Sequence, residues 1–180
     1  MLKWLWLSVT VIALDQGSKY LASYLLALHE SADFIPFLQF TLLHNKGAAF
    51  SFLSSAGGWQ RWVFTILALV VSVVIVVWLR RMSVQDKWQA AGLAFILGGA
   101  LGNVIDRISH GYVVDFLDFY YPAERCLPLF YPIKASVMEC HWPAFNMADS
   151  AISVGVVVLI VDSLRSSLKR HAPVTDHQQE

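Results

Sequence analysis

Charge is scarce in this chain. Only 14% of its 180 residues are charged, whereas a soluble domain carries roughly a quarter. Hydrophobic residues make up 57%, and the mean hydropathy is +0.54. The shortage argues against an ordinary soluble domain and for a polytopic membrane protein. Formal net charge is zero, so no nucleic-acid partner is expected. Glycine loops of the Walker or dinucleotide pattern are missing, and so is the Gly-x-Ser-x-Gly of serine hydrolases. The six histidines are scattered along the sequence. There is no internal repeat and no low-complexity run. Cysteine is limited to Cys126 and Cys140, 14 positions apart. On an oxidising face they could pair, and elsewhere they would be two free thiols. A Cys/His metal site using His141 or His110 lacks any recognised ligand spacing, so neither metal nor cofactor is expected.

Long apolar runs are what the chain has instead. Four segments approach the ~20 residues that cross a bilayer, at about 4–28, 59–79, 88–107 and 146–165. They predict an all-α membrane protein of four transmembrane helices, forming one domain over residues 1–180. The N-terminal run, with Lys3 before it, resembles a secretory signal peptide. Asp15 and Lys19 interrupt it and no clear small-residue cleavage site follows, so it reads as a retained helix. Basic residues cluster at Lys3, at Arg80, Arg81 and Lys87, and at Arg165, Lys169 and Arg170. With four spans these share one side, which places both termini in the cytoplasm. The loops of roughly 30–58 and 108–144 then face outward. The last residues, from about 171 to 180, are polar and read as a disordered tail.

The outward loops hold the distinctive sequence. Residues 34–43 alternate in a strand-like way and are rich in aromatic and β-branched types, predicting a small β-cradle on the membrane. Asn45-Lys-Gly47 is turn chemistry, with Gly47 able to take a positive φ. The second loop, with four prolines and both cysteines, reads as a flap.

Several polar residues sit where hydrocarbon makes them costly, and each is a functional-site candidate on that ground. Asp15 and Lys19, at i and i+4, share one helix face. They can neutralise each other for insertion, point into a polar site, or both. Asn103, Asp106 and Arg107 end the third helix, with Asn103 on a face with each of the others. Arg107 suits an interfacial anchor equally with a partner for a carboxylate or lipid phosphate. The glycines from Gly98 to Gly102 read as helix packing. Asn146 and Asp149 are spaced like an N-cap and its N3 acid. A helix N-terminus also favours an ionised carboxylate. Asp149 and Asp115 could therefore form a dyad sharing one proton, because two close carboxylates do not both ionise cheaply. Asp118 rivals Asp115; on a strand the two face opposite ways, whereas in a helix they are neighbours.

Four blocks in order resemble the lipoprotein signal peptidases (signal peptidase II). They are Leu14-Asp-Gln-Gly-Ser-Lys19, Asn45-Lys-Gly-Ala-Ala-Phe50, Gly98 to Arg107 continuing to Gly111-Tyr-Val-Val-Asp-Phe116, and Phe145-Asn-Met-Ala-Asp149. The resemblance implies a bacterial inner-membrane aspartyl protease, with Asp115 and Asp149 catalytic at the outer face. Asp15, Lys19, Asn45, Gly47, Asn103, Asp106, Arg107 and Asn146 would bind substrate or support the site. The implied partners are membrane lipids and diacylglyceryl-modified prolipoproteins, cut just before the lipidated cysteine. Inhibition by globomycin is implied too. A monomer is expected, since the proposed site lies within one chain. The stretch between Asp118 and Asn146 is longer than the resemblance leads one to expect. The alternative is a small four-helix transporter or proton-coupled carrier; its carboxylates would lie near the midplane, often with repeat symmetry.

Overall fold

The computed structural model describes residues 1–47, 58–123, 125–132 and 139–171, with side chains to residue 168. The expected tail beyond 171, and Ala48 to Phe50 of the second block, lie outside the described residues. After a 3-10 turn at Leu2–Trp4, the order is α1 (Leu5–Leu25), β1 (Ser31–Ile35), β2 (Leu38–Asn45) and α2 (Gln60–Arg81). Then come α3 (Lys87–Ser109), β3 (Val113–Pro122), β4 (Glu139–His141) and α4 (Met147–His171). The four helices fall on the four expected runs. α4 continues to His171, past the expected end near 165.

Among the described residues three helices, α2, α3 and α4, are long and apolar enough to cross a membrane. α3 is the hub. About 67% of its apolar window is buried, against 22% in α2 and 17% in α4, so α3 packs on protein while the others show their apolar sides outward. Small residues permit this. A Cβ on Gly98 would lie 2.7 Å from Val11 of α1, and one on Gly99 would strike the Ala148 carbonyl of α4. Gly92 and Gly155 face each other across α3 and α4, where an added Cβ would meet a carbonyl at 2.5–2.9 Å. The packing role expected of Gly98 to Gly102 holds.

The strands form one antiparallel sheet in the order β1-β2-β3-β4. It rests on the end of α1 through Ala22, Leu42, Val114 and Phe116. A one-residue register shift lies between Phe40 and Leu43 of β2. It matters because such a slip exchanges the faces of a strand. Gln39, Thr41 and Asn45 would share a face in a regular strand. Here Gln39 and Thr41 reach Asp118, whereas Asn45 reaches Asp115. Gly111, at φ 85°, makes the turn from α3 into β3.

Candidate active site

Asp115 enters from β3 and is 3% exposed. Its carboxylate accepts hydrogen bonds from Asn146 Nδ2 at 2.7 Å and Asn45 Nδ2 at 3.0 Å. Burial, then the charge of Asp149, push its pKa from 3.8 up to about 7. The amides of Asn45 and Asn146 and the ammonium of Lys19 pull the other way.

Asp149 enters from the first turn of α4. Its backbone N–H donates to Asn146 Oδ1 at 3.0 Å, while its carboxylate accepts the Asn146 N–H at 3.3 Å. This is a reciprocal capping box, as the Asn146–Asp149 spacing predicts. The cap does not use up the acid. The other oxygen of Asp149 accepts Asn103 Nδ2 at 2.8 Å, and Asn146 Nδ2 also reaches Asn103 Oδ1 at 3.2 Å. Asn146, fully buried, thus touches Asp115, Asp149 and Asn103 together.

Behind this pair lies the charged network of α1 and α3. Lys19 Nζ lies 2.8 Å from Asp15 and 2.9 Å from Asp106, and it donates to Asn103 Oδ1 at 3.0 Å. All three ionisable groups are at most 3% exposed. Asp15 also accepts the Ala148 N–H at 2.8 Å, and Asp106 accepts the Val114 N–H at 2.9 Å. The same cluster therefore fixes the backbone beside both candidate acids. Asp15 and Lys19 pair with each other, as the self-neutralising reading expects, and Lys19 also turns towards Asn103 beside the two acids.

Among the described residues Arg107 makes no direct bond to a carboxylate. It donates to the carbonyls of Gly47 at 3.3 Å and Asn103 at 3.5 Å and lies over the Phe64 ring. Asn45 Oδ1 accepts the Gly47 N–H at 2.9 Å, closing the expected turn through the asparagine side chain, so Gly47 does not use the positive φ open to it. Arg107 thus pins the turn that carries Asn45. A cavity of about 520 Å³ opens over these groups, lined by Asp115, Asp149, Asn45, Asn103, Arg107 and the segment Trp142 to Phe145.

Asp118 faces the other way, as a strand requires. It is fully buried and accepts from Gln39 Nε2 at 2.7 Å and Thr41 Oγ1 at 2.9 Å; His141 Nδ1 lies 3.0 Å away. It does not line the cavity. Cys126 and Cys140 form a disulfide, with Cα atoms 5.3 Å apart. Among the described residues no group of three or more His, Cys, Asp or Glu could hold a metal ion.

Sequence reasoning missed four residues near the site. Gln16 donates to Asp15, to Asp106 and to the Gly102 carbonyl, tying α1 to α3. Its position beside Asp15 is the signal that was open to reading. Gln39 and Thr41 were invisible because they meet Asp118 only across the sheet, and His141, weighed only as a metal ligand, meets the same acid instead. The histidines scattered in sequence also gather in part. His44 stacks on Tyr112 at 3.8 Å, and burial, then His29, His110 and Lys46, hold it below its usual pKa.

The comparisons agree with one another. The family model described as signal peptidase (SPase) II matches residues 7–165. A lipoprotein signal peptidase of Alteromonas mediterranea is 50% identical over 169 residues, covering 94% of this chain and 84% of the relative. One from Aeromonas hydrophila is 43% identical over 170 residues, covering 94% and 92%. A solved bacterial membrane enzyme superposes with a TM-score of 0.74 at 25% identity, over 99% of this chain and 94% of its own. A second gives 0.69 at 28% identity, over 90% and 92%. With the family model matching nearly all of the helices and the sheet, the chain belongs to the signal peptidase II family.

Proposed function

We propose that this chain is an aspartic-type endopeptidase of the bacterial inner membrane. It removes signal peptides from diacylglyceryl-modified prolipoproteins, cutting before the lipidated cysteine. One observation carries the reading: Asp115 and Asp149, from two different elements, line one cavity, and Asp115 is pushed to about 7 beside its neighbour. A buried pair of this kind holds one proton between its carboxyls near neutral pH.

The ionised member takes a proton from water, and the oxygen of that water attacks the scissile carbonyl. The protonated member donates to the carbonyl oxygen. Collapse of the tetrahedral intermediate breaks the C–N bond as a proton passes to the leaving amine. Asn146 and Asn103 hold the two acids in register, and Arg107 with Asn45 and Gly47 forms the substrate-facing rim. Each acid–base group contributes roughly 10²–10⁴-fold.

α1 serves as a fourth span in this reading. Its Trp6, Val9, Leu14 and Leu21 are more than half exposed, while Asp15 and Lys19 turn inward. Both termini then lie in the cytoplasm, and the sheet forms a cradle at the outer face. The disulfide supports that placement, since such bonds persist on oxidising faces. The enzyme works as a monomer among membrane lipids. The transporter alternative has no support from the comparisons, all of which point to a peptidase or membrane enzyme.

The test is cleavage of a diacylglyceryl-modified prolipoprotein by the purified protein, with a chelator present, beside Asp115→Asn and Asp149→Asn. Wild-type cleavage that survives the chelator and disappears in both variants is expected. Activity surviving either substitution removes that aspartate from the mechanism.

A further inference from the structure

The cavity wall from Trp142 to Phe145 is built differently from the rest of the site. It belongs to the excursion between β3 and α4, not to a transmembrane helix. β4 pairs with the end of β3, setting His141 opposite Tyr120 and Cys140 opposite Tyr121. His141 is anchored twice. Its ring meets buried Asp118, and its backbone exchanges two hydrogen bonds with Tyr131, at 2.9 and 3.0 Å. The next residue, Trp142, donates its N–H to the Phe119 carbonyl at 2.7 Å and lines the cavity.

The disulfide reaches this wall through aromatic rings. Phe130 lies inside the segment that Cys126 and Cys140 close. Its ring stands edge-on to Trp142 at 5.4 Å and to Tyr121 at 5.0 Å. Phe130 thus covers one side of the Trp142 ring, while the backbone bond to Phe119 fixes its root. Neither contact involves the elements that carry Asp149, Asn103 or Lys19.

We propose that Trp142 is a substrate-binding residue of this cavity, offering its indole to the peptide beside the scissile bond, and that Phe130 and the Cys126–Cys140 crosslink are the positioning elements that hold it. The inference rests on the peptidase reading of the same cavity. Loss of the crosslink frees Phe130 and leaves Trp142 without that support. The dyad, held by Asn146, Asn103 and Asn45, stays in place. Substrate binding therefore weakens while the chemical step continues.

The experiment compares wild type, Cys126→Ser/Cys140→Ser, Phe130→Ala, Trp142→Ala and Trp142→Phe in cleavage of a diacylglyceryl-modified prolipoprotein peptide, with and without a phosphine reductant. An aromatic contact of this kind corresponds to roughly a threefold to tenfold change. KM should rise by about that factor in the double-serine, Phe130→Ala and Trp142→Ala proteins, with kcat within about twofold. Trp142→Phe should recover most of the loss. The reductant should raise the KM of wild type and leave the double-serine protein unmoved. Trp142→Ala combined with the double-serine change should be less than additive, since both act on one wall. The proposal fails if wild type cleaves and the variants keep its KM, or if kcat falls instead. Anisotropy of the same labelled peptide on the Asp115→Asn background separates the two readings. If wild type does not cleave yet peptide affinity depends on the crosslink, the wall stands and the peptidase reading falls. If affinity is indifferent to the crosslink and to Trp142, the wall falls.

Discussion

Asp115 and Asp118 sit three residues apart on one strand, both buried, and they live in opposite chemical worlds. Asp118 receives two side-chain donors and faces a histidine, so its charge is met on every side. It ties β2, β3 and β4 together. Asp115 receives two neutral amides and has a second carboxylate nearby, with the cation Lys19 set back behind Asn103. It opens onto a cavity. On the proposed mechanism, one strand supplies both an anchor and a reactive group. The anchor is the acid whose surroundings complete it. The reactive group is the acid left short of positive charge and facing a space where something can bind.

The largest contrast should appear on neutralising each acid in turn. Asp115→Asn is expected to lower turnover of the prolipoprotein substrate by about 10²–10⁴-fold with the fold intact. Asp118→Asn should keep turnover within a few-fold. If single-turnover assays found equal losses, the division between the two acids would collapse.

Next comes the cation behind the dyad. Lys19→Met leaves Asp15 and Asp106 buried without their counter-charge, and breaking a buried pair in this way costs roughly 3–5 kcal/mol. Thermal unfolding in detergent should show a large fall in midpoint, in contrast to a small change for Asp115→Asn. An unchanged midpoint would mean the network is hydrated rather than dry.

Acidity sharpens the comparison further. The folded protein holds the Asp115 proton more tightly than the unfolded chain, with a pKa near 7 against 3.8. That contribution to stability is therefore complete below about 3.8 and is lost as pH rises towards 7. Unfolding midpoints between pH 4 and pH 7.5 should carry this downward trend in wild type, and Asp115→Asn should lack it. Turnover should also decline on the alkaline side with an apparent pKa near 7 that belongs to the Asp115–Asp149 pair. Identical pH trends in wild type and variant would remove Asp115 as their source.

The smallest effect belongs to the anchor. Asp118→Asn leaves part of a buried hydrogen-bond set unmet, a loss of about 1–3 kcal/mol. It should appear as faster hydrogen exchange in β4 and Tyr131, with α3 unaffected. Uniform exchange across the sheet would argue that Asp118 does not anchor β4.

How far the sequence led follows from the reach of each signal. Asn146 and Asp149 lie within one helical turn, so their cap was readable, and so was the shared face of Asp15 and Lys19. The small residues of α3 announced close packing. Whether Asp115 or Asp118 met the second acid was undecidable from spacing, because it depends on which donors wait across the sheet. The register shift in β2 hands Gln39 and Thr41 to Asp118 and Asn45 to Asp115, and no local pattern in residues 38–45 marks that shift. α1 shows the opposite difficulty. Its polar residues lower its hydropathy, yet they face α3 and leave an apolar exterior, an arrangement visible only once the neighbour is in place.

The bridge between Leu117 and Phe145 has a consequence for how this architecture can vary. Both residues exchange hydrogen bonds, at 2.8 and 3.0 Å, and Asn146 grips Asp115 one step further in. Between them lie the end of β3, still paired with β2 through Asp118 and Phe119, and the crosslinked excursion that returns along β4. Beyond the end of β3 the excursion touches the site through its returning segment, Trp142 to Phe145, so changes in its length and crosslinks are expected to alter that wall before they alter the acids. Grafting the corresponding stretch between relatives should transfer substrate preference while leaving the reaction itself untouched, which makes this the natural place for such enzymes to diverge.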